Sequence, residues 1–413
     1  MWNENSFVMY IYKAGVIGAG TMGAEIAQVI TYAGIPVVLK DVNQELVDKG
    51  LSKIRSIYQK RVDKGKMDAS EVENKLSLVS GTTTYDTFKD VDLVIEAVPE
   101  RMDLKKKVFQ DLNAHTPENT IYATNTSALS ISELGAATKR PEKVIGMHFF
   151  FPAHVMKLVE IIPGLATATE TIDDVMGFTE SLRKIPVRVN ECAGFLVNRL
   201  LMPYLNEAAY CLQEGAATVQ EIDQAMVKFG FPMGPFTLVD NLGLDVCFDV
   251  VKVLLDSYGN RMEPAALWTK LFEAKRYGRK TGAGFYEYDG RPQGELQKII
   301  SDLQKQLNLK KTKLSQERLL YPMINEAVLC LEEHVASESD IDMAMVAGVG
   351  FPQDKEGILH YADQVGLDEV LKILEGFYRE FGGRFWPAPR LRRMAGAQFL
   401  GKKTGRGFFE YST

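Results

Sequence analysis

AGVIGAGTMGAEIAQVI, residues 14–30, places a glycine-rich turn between a short β-type run and an apolar helical pattern. A GxGxxG motif in this strand, turn and helix order is typical of dinucleotide-binding proteins. Gly18 would allow a tight turn, Gly20 a close approach of the backbone to a pyrophosphate, and Gly23 close packing of helix and strand. The phosphates would bind at the helix N-terminus, where unpaired N–H groups favour an anion. We therefore expect cofactor contacts from Gly18, Gly20, Thr21, Met22 and Gly23.

An acidic residue at the expected distance extends this signature. A second strand-like run, Val37–Lys40, follows Pro36 and ends beside Asp41, eighteen residues beyond Gly23. A carboxylate about twenty residues after the motif binds the ribose 2′-hydroxyl and repels a 2′-phosphate. The pattern predicts NAD rather than NADP, and a purely structural glycine turn is the weaker alternative.

Polar residues follow two further apolar runs, 91–98 and 120–124. They are Glu96 and Glu100 for the first run and Asn125, Thr126 and Ser127 for the second. Ligands bind at the carboxyl ends of the strands in a doubly wound sheet. Asn125 and Ser127 are therefore candidates to contact the nicotinamide or a substrate oxygen. The alternative for Ser127 is that it caps a helix that begins near Ser130.

The main candidates for proton chemistry are an imidazole and a carboxylate on consecutive strand-like runs. His148 lies near the end of the run 143–149, and Glu160 lies inside the run 156–162. If the two strands pair, Glu160 reaches His148, fixes its tautomer and stabilises the imidazolium, which makes the pair a general base for a hydroxyl proton. Taken alone, the pair also fits a core histidine beside a strand-edge charge. The dinucleotide signature in the same domain favours the base.

Residues 44–64 are predicted to form a long charged helix. The simplest interpretation of its basic residues is a solvated face. The functional alternative is that one or two of them meet the phosphates of a large acyl carrier. The basic residues in and just beyond this helix are Lys49, Lys53, Arg55, Lys60, Arg61, Lys64 and Lys66.

From about residue 190 the pattern becomes helical and contains an internal repeat. RLLMPYLNEA at 199–208 recurs as RLLYPMINEA at 318–327, and KTGAGFY at 280–286 recurs as KTGRGFF at 403–409. Two such copies are expected to pack on each other and to bury a face that a single copy would bury by dimerising.

The copies differ where chemistry is expected. GFLVNR, residues 194–199, opens the first copy, and alignment on the shared Arg-Leu-Leu places Glu317 opposite Asn198. We infer that the first copy contributes to a site and that the second is mainly structural.

The sequence thus predicts an α/β Rossmann-like N-terminal domain followed by an all-α C-terminal half built from two repeated helical modules. The expected domains are 1–188 for NAD binding, 189–292 for the first module and 293–413 for the second, with the linker near 288–292.

Composition excludes several classes of protein. The 413 residues carry a formal charge of −6 with interspersed signs, which predicts no nucleic-acid or anionic-membrane surface. Four scattered cysteines without ligand spacing favour structural thiols in a reducing compartment, with neither a disulfide nor a metal site. No run reaches the roughly 18 apolar residues of a membrane span. The N-terminus reads as a short lead-in without targeting features, so a cytoplasmic location is expected.

Taken together, the motifs resemble those of the 3-hydroxyacyl-CoA dehydrogenase family of fatty-acid and butanoate metabolism. GAGTMG, TNTS, GMHFF, LVEI, GFLVNR and PMGP fall in family order, and the resemblance continues to the final KTGRGF. Many members have one C-terminal helical module and dimerise through it. The doubled module is similar to the dehydrogenase half of multifunctional β-oxidation proteins, which leaves a monomer with a pseudo-dimeric C-terminal half or a homodimer.

The resemblance implies oxidation of an L-3-hydroxyacyl-CoA to the 3-oxoacyl-CoA, with hydride passing to NAD and the proton to His148. It implies that Glu160 orients His148, and that Ser127 and Asn198 hydrogen-bond substrate or cofactor. Asp41 would bind the adenosine ribose. The other implied contacts are Glu100, Lys105 and Lys280 with NAD and Lys64 with the CoA phosphates.

One position departs from the family pattern. Phe151 stands where the family phrase His-Phe-Phe-Asn-Pro has asparagine. The missing amide could remove a polar contact to cofactor or substrate, shift acyl preference or lower turnover.

Two alternative functions remain open. The substrate could be a dicarboxylic 3-hydroxyacyl-CoA, which would need an added cation in the acyl pocket. The chain could also be a non-catalytic NAD-binding protein of the same fold, but a protein released from catalysis has no physical need for Ser127, His148, Glu160 and Asn198 together.

Overall fold

A computed structural model describes residues 10–288 and 294–412 of the chain. The chain separates into two compact units, Met1–Glu191 and Cys192–Thr413. The predicted lead-in at the N-terminus lies outside the described residues. The predicted linker and the expected boundary between the helical modules also lie outside them, apart from Tyr288.

The first unit alternates short strands with helices, as its sequence pattern predicts. Its strands are β1 (Ala14–Ile17), β2 (Val37–Lys40), β3 (Val79–Thr82), β4 (Leu93–Glu96), β5 (Ile121–Thr124), β6 (Val144–Phe149), β7 (Leu158–Pro163) and β8 (Ile185–Arg188). Its helices are α1 (Thr21–Tyr32), α2 (Gln44–Asp63), α3 (Ala69–Leu76), α4 (Met102–His115), α5 (Ile131–Gly135) and α6 (Thr169–Ser181).

In the described residues the strands form one sheet in the order β3-β2-β1-β4-β5-β6-β7-β8. The first six strands are parallel, β7 runs antiparallel to β6, and β8 is parallel to β7. The central strands β1, β2, β4 and β5 are buried along their whole length, as expected for strands covered on both faces. The strand order reverses between β1 and β4, so their carboxyl ends form the crevice where doubly wound sheets bind ligands.

The second unit is helical. Its helices are α7 (Val197–Gln213), α8 (Val219–Phe229), α9 (Pro235–Leu242), α10 (Leu244–Tyr258), α11 (Ala266–Glu273), α12 (Glu295–Leu307), α13 (Gln316–Glu332), α14 (Glu338–Ala344), α15 (Ile358–Val365), α16 (Leu367–Phe381) and α17 (Pro389–Gly396). We call residues 192–288 the first helical segment and residues 294–412 the second helical segment.

Helices α7 and α13 pack against each other through reciprocal ion pairs. Arg199 on α7 donates to Glu326 on α13 at 2.7 Å, and Arg318 on α13 donates to Glu207 on α7 at 2.7 Å. Both guanidinium groups are almost completely buried, so each needs a carboxylate partner to offset the loss of solvation.

None of the helices within residues 10–288 and 294–412 combines the length and the apolar character of a membrane span.

Candidate active site

The glycine-rich turn has the backbone geometry that a dinucleotide site requires. Gly18 has φ +99°, a conformation that favours glycine, and a β-carbon on Gly23 would lie 1.8 Å from the carbonyl oxygen of Gly18. A β-carbon on Gly20 would meet no heavy atom of the protein within 4 Å. Helix α1 begins at Thr21, immediately after Gly20. Gly18 and Gly23 therefore shape the turn, while Gly20 leaves open space at the helix N-terminus for a phosphate.

Asp41 lies beside this turn at the carboxyl end of β2. Its carboxylate accepts hydrogen bonds from the backbone N–H of Ala19 and of Val42, each at 2.6 Å. These bonds fix the carboxylate next to the glycine-rich loop, and each oxygen keeps accepting capacity for a ribose hydroxyl.

His148 and Glu160 are direct partners across the antiparallel pair β6 and β7. Nδ1 of His148 lies 2.7 Å from Oε2 of Glu160, and the two residues are 5% and 0% exposed. The strand pairing expected from the sequence therefore brings the imidazole and the carboxylate together. A buried carboxylate at Nδ1 favours the tautomer that presents Nε2 for proton transfer.

Ser127 reaches the other side of the same imidazole. Its Oγ lies 3.1 Å from Nε2 of His148. The alternative role as a helix cap does not apply, because Ser130 caps α5 by accepting from the N–H of Glu133 at 3.1 Å. Ser127, His148 and Glu160 thus form one continuous hydrogen-bonded chain.

Asn125 follows β5 and bonds to the ends of the strands on both sides of it, β4 and β6. Its Oδ1 accepts a hydrogen bond from the N–H of Phe149 at 2.8 Å, and its own N–H donates to the carbonyl of Glu96 at 2.8 Å. The observed role of this side-chain oxygen is to hold the end of β6, next to His148.

Glu96 and Lys105 form a buried ion pair that the sequence did not predict as a pair. Through Glu100, the pair is connected to residues 125–130 between β5 and α5, which we call the Ser127 loop. Glu96 and Lys105 are both 0% exposed, and Nζ of Lys105 lies 2.8 and 3.0 Å from the two oxygens of Glu96. The same ammonium lies 3.3 Å from Oε2 of Glu100. Oε1 of Glu100 accepts from the N–H of Ser127 at 2.9 Å. The sequence signal was a glutamate ending an apolar strand with a lysine nine residues later.

Phe151 lies on the loop that follows β6 and is 53% exposed. The loop is bonded to α1 through Glu25, whose buried carboxylate accepts from the N–H of Ala153 at 2.7 Å. Lys184 donates to the carbonyl of Ala153 at 2.6 Å, and burial lowers the pKa of Lys184 to about 8. Glu25 was also missed, although a lone charge on the buried face of α1 was a usable signal.

The remaining predicted residues are Lys64, Asn198 and Lys280. Lys64 is exposed at the C-terminal end of α2. Asn198 and Lys280 belong to the second compact unit, Asn198 in the first turn of α7 and Lys280 paired with Asp245 at 2.6 Å. In the described part of the chain, no group of three or more His, Cys, Asp or Glu side chains is arranged to hold a metal ion.

Several solved structures have the same architecture. A 3-hydroxybutyryl-CoA dehydrogenase from Escherichia coli is similar with a TM-score of 0.84 and 30% identity, over 94% of this chain and 99% of that chain. The dehydrogenase part of multifunctional enzyme 1 from C. elegans gives a TM-score of 0.68 and 29% identity, over 95% of this chain and 93% of that one. An (S)-3-hydroxybutyryl-CoA dehydrogenase from Ralstonia eutropha is 40% identical with a TM-score of 0.66, over 68% of this chain and 100% of its own.

Sequence comparison gives the same result. Fatty acid oxidation complex subunit alpha from Shewanella amazonensis is 41% identical in an alignment of 396 residues that covers 93% of this chain and 55% of that protein. The chain therefore spans about half the length of such relatives. The family model for the NAD binding domain of 3-hydroxyacyl-CoA dehydrogenase matches residues 13–192. The model for the C-terminal domain matches two segments, 194–288 and 316–411. The chain belongs to the 3-hydroxyacyl-CoA dehydrogenase family.

Proposed function

We propose that this chain interconverts an L-3-hydroxyacyl-CoA and the corresponding 3-oxoacyl-CoA with NAD as the hydride carrier. The observation that carries the proposal is the row of hydrogen bonds through Ser127, His148 and Glu160. Oγ of Ser127 lies 3.1 Å from Nε2 of His148, and Nδ1 of His148 lies 2.7 Å from Oε2 of Glu160. His148 and Glu160 lie on β6 and β7, Ser127 lies on the loop after β5, and the glycine-rich turn follows β1 of the same sheet. A base and a dinucleotide loop on one sheet are the two components that dehydrogenation of a hydroxyl needs.

His148 is the proposed general base. With Nδ1 donating to Glu160, Nε2 accepts the proton of the substrate hydroxyl as the carbonyl forms, and Glu160 stabilises the resulting imidazolium. In the reverse direction the imidazolium returns the proton to the developing alkoxide. Oγ of Ser127 lies within hydrogen-bonding distance of Nε2 and orients the imidazole. When substrate is bound, the same hydroxyl hydrogen-bonds the substrate oxygen that faces Nε2.

The residues of the glycine-rich turn and Asp41 are proposed to hold NAD, which accepts the hydride when bound. The space beside Gly20 admits the pyrophosphate. The carboxylate of Asp41 binds the 2′-hydroxyl and repels a 2′-phosphate, which supports NAD against NADP. Thr21 and Met22 form the first turn of α1 at the phosphates, and Glu100 and Lys105 lie behind the Ser127 loop.

The family resemblance implies roles for four further residues. Asn198 hydrogen-bonds the substrate oxygen, Lys64 meets the CoA phosphates, Lys280 contacts NAD, and Phe151 lines the acyl pocket in place of an amide. The exposure of Lys64 and Phe151 is compatible with ligand contact.

The helical half is proposed to be two copies of one module, with domains at 1–188, 189–292 and 293–413. The two separate matches of one C-terminal model support this duplication. The reciprocal pairs of Arg199 with Glu326 and Arg318 with Glu207 support an internal pseudo-dimer. The chain then works as a monomer or pairs as a homodimer.

The relatives named for the fatty acid oxidation complex support a role in fatty-acid β-oxidation, and the 3-hydroxybutyryl-CoA dehydrogenases support butanoate metabolism. The apolar side chain of Phe151 does not by itself indicate which acyl-chain length the site prefers. We therefore propose the family reaction without assigning a preferred acyl-chain length.

The test is consumption of NADH with acetoacetyl-CoA, with a longer 3-oxoacyl-CoA and with a dicarboxylic 3-oxoacyl-CoA, each repeated with NADPH. We expect turnover with NADH that is lost in His148→Gln, while NADH binding to the variant, measured by fluorescence, stays within about twofold. Faster turnover of the dicarboxylic substrate would favour that alternative. Absence of turnover with every acyl-CoA, despite NADH binding, would make the non-catalytic alternative the better description.

A further inference from the structure

We propose that Glu100 is a positioning residue that acts through Ser127, and that the buried pair of Glu96 and Lys105 fixes it in place. The proposal rests on the proposed function of Ser127 and His148. It differs from the role that family resemblance implies, in which Glu100 and Lys105 contact NAD directly.

Glu96 and Lys105 form a buried ion pair. Glu96 and Lys105 are completely enclosed, and Glu96 also accepts from Oγ1 of Thr124 at 2.7 Å and from the N–H of Val98 at 2.6 Å. The ammonium of Lys105 is surrounded by both oxygens of Glu96, by Glu100 and by the carbonyl of Val98 at 3.4 Å. A fully enclosed ammonium with these partners has no surface to offer a ligand. Its positive charge attracts the neighbouring carboxylates instead. Of these two carboxylates, that of Glu96 is buried and that of Glu100 is partly exposed.

The two carboxylate oxygens of Glu100 have different partners. Oε2 faces Lys105 at 3.3 Å. Oε1 faces the loop after β5 and accepts from Oγ1 of Thr126 at 2.5 Å, from the N–H of Ser127 at 2.9 Å and from the N–H of Ala128 at 3.3 Å. One carboxylate thus binds three consecutive residues of the loop that carries Ser127.

The loop that Glu100 binds also positions Ser127 beside the imidazole of His148. The backbone of Ser127 is held by Glu100, and its Oγ lies 3.1 Å from Nε2 of His148. Without Glu100 the N–H of Ser127 loses this acceptor, and the N–H of Ala128 keeps only the weaker bond to Oγ1 of Thr126 at 3.4 Å. We expect the loop to turn toward water as a result. A displacement of about 1 Å in a positioned group costs roughly 100-fold in rate. Lys105 and Glu96 hold the carboxylate that prevents this displacement.

The experiment is a double-mutant cycle of Glu100→Ala and Ser127→Ala in the full-length protein. If Glu100 acts through Ser127, Glu100→Ala lowers kcat by about 10- to 100-fold alone but causes no further loss in the Ser127→Ala background. Its dissociation constant for NADH stays within about twofold of wild type. Glu100→Gln, which keeps an oxygen for the loop, recovers most of the activity. Glu133→Ala is the matched control, because Glu133 on α5 is a similarly exposed carboxylate, paired with Lys106 on α4. This variant is expected to leave kcat unchanged.

Two outcomes overturn the proposal. Losses that multiply in the double variant mean that Glu100 acts independently of Ser127. An approximately tenfold weaker binding of NADH in Glu100→Ala, with kcat little changed, means a direct cofactor contact.

A readout that needs no turnover separates this proposal from the proposed function. The protein has five histidines, and His148→Gln identifies the His148 signal in a spectrum of protein labelled with ¹⁵N-histidine. Glu100→Ala should shift that signal in the wild-type background and leave it unchanged in the Ser127→Ala background. An unchanged signal in both backgrounds contradicts the positioning role even if the chain lacks dehydrogenase activity. A shift without activity retains the positioning role and removes only the proposed function.

Discussion

The two helical segments share the residues that hold them together and differ at the residue proposed to reach substrate. Arg199 and Arg318 occupy equivalent positions on α7 and α13, and each is paired with a carboxylate of the other helix. In the first turns of the same helices, the first segment has Asn198 and the second has Glu317. The shared ion pairs explain how the two helices pack, and the unmatched position is where we propose a contact with substrate.

Smaller contacts show the same division. Lys280 pairs with Asp245 in the first helical segment, and Lys403 pairs with Asp368 in the second. An ion pair present in both segments has a structural explanation before a cofactor is invoked. The second segment therefore serves as an internal control for residues of the first.

The largest expected effect comes from breaking the reciprocal ion pairs. Arg199→Met leaves Glu326 paired with Arg261, at 3.1 Å, and Arg318→Met leaves Glu207 paired with Arg384, at 2.8 Å. Removing one partner of a buried pair costs about 3–5 kcal/mol when the other charge is left unpaired, and because each glutamate here keeps one arginine, each variant should lose about 3 kcal/mol of the free energy of unfolding, the lower end of that range. Urea denaturation measures both.

Arg393→Met is the matched control for these variants. Arg393 is largely exposed and pairs with Glu332 at 3.0 Å, and exposed pairs contribute about 0–1 kcal/mol. A loss for Arg199→Met no larger than that for Arg393→Met would show that the reciprocal pairs do not stabilise the helical unit.

The second expected effect distinguishes the unmatched positions. Asn198→Ala should lower kcat/KM for a 3-oxoacyl-CoA by about 100-fold, as loss of a hydrogen bond to a reacting oxygen does. Glu317→Ala, at the equivalent position of α13, should change kcat/KM by less than about twofold. Steady-state assays of both variants at equal folded concentration make the comparison. Equal effects at the two positions would contradict the proposal that the first helical segment contributes a residue to the site and the second does not.

A third and smaller effect concerns Lys280. If this side chain contacts NAD, Lys280→Ala should raise the KM for NADH about tenfold, the cost of one charged hydrogen bond. Lys403→Ala removes the equivalent exposed ion pair and should leave that KM unchanged. Parallel titration of NADH against both variants is the measurement, and identical curves would assign both lysines to structure alone.

Much of the first unit could be predicted from local pattern, because its central strands are buried on both faces and read as continuous apolar runs. The pairing of His148 with Glu160 followed from two adjacent runs of the right length. The edge strands were missed. β3 is only half-buried and contains Gly81, and β8 contains Pro186, which an edge strand tolerates.

The pairings of the supporting residues could not be predicted, and the reason is different. Glu96 meets Lys105 only because α4 folds back on β4, and Glu25 meets Ala153 across 128 residues of sequence. Neither pairing has a periodic signal, since each depends on tertiary packing. A buried charge in an apolar run indicates that a partner must exist, but it does not identify the partner.

The smallest expected effect tests whether the two helical segments unfold together. Cys211 on α7 and Cys330 on α13 occupy equivalent positions; burial raises the pKa of Cys211 to about 12 and raises that of Cys330. Since the thiolate is the nucleophile, neither should react with iodoacetamide at pH 8 in the folded protein, whereas an unfolded thiol has a pKa of about 8.5. Mass spectrometry after brief alkylation at increasing urea should show both peptides labelled at one midpoint, because the reciprocal ion pairs join the segments. Earlier labelling of Cys330 would mean that the second helical segment opens alone, and the shared contacts would then not make one cooperative unit.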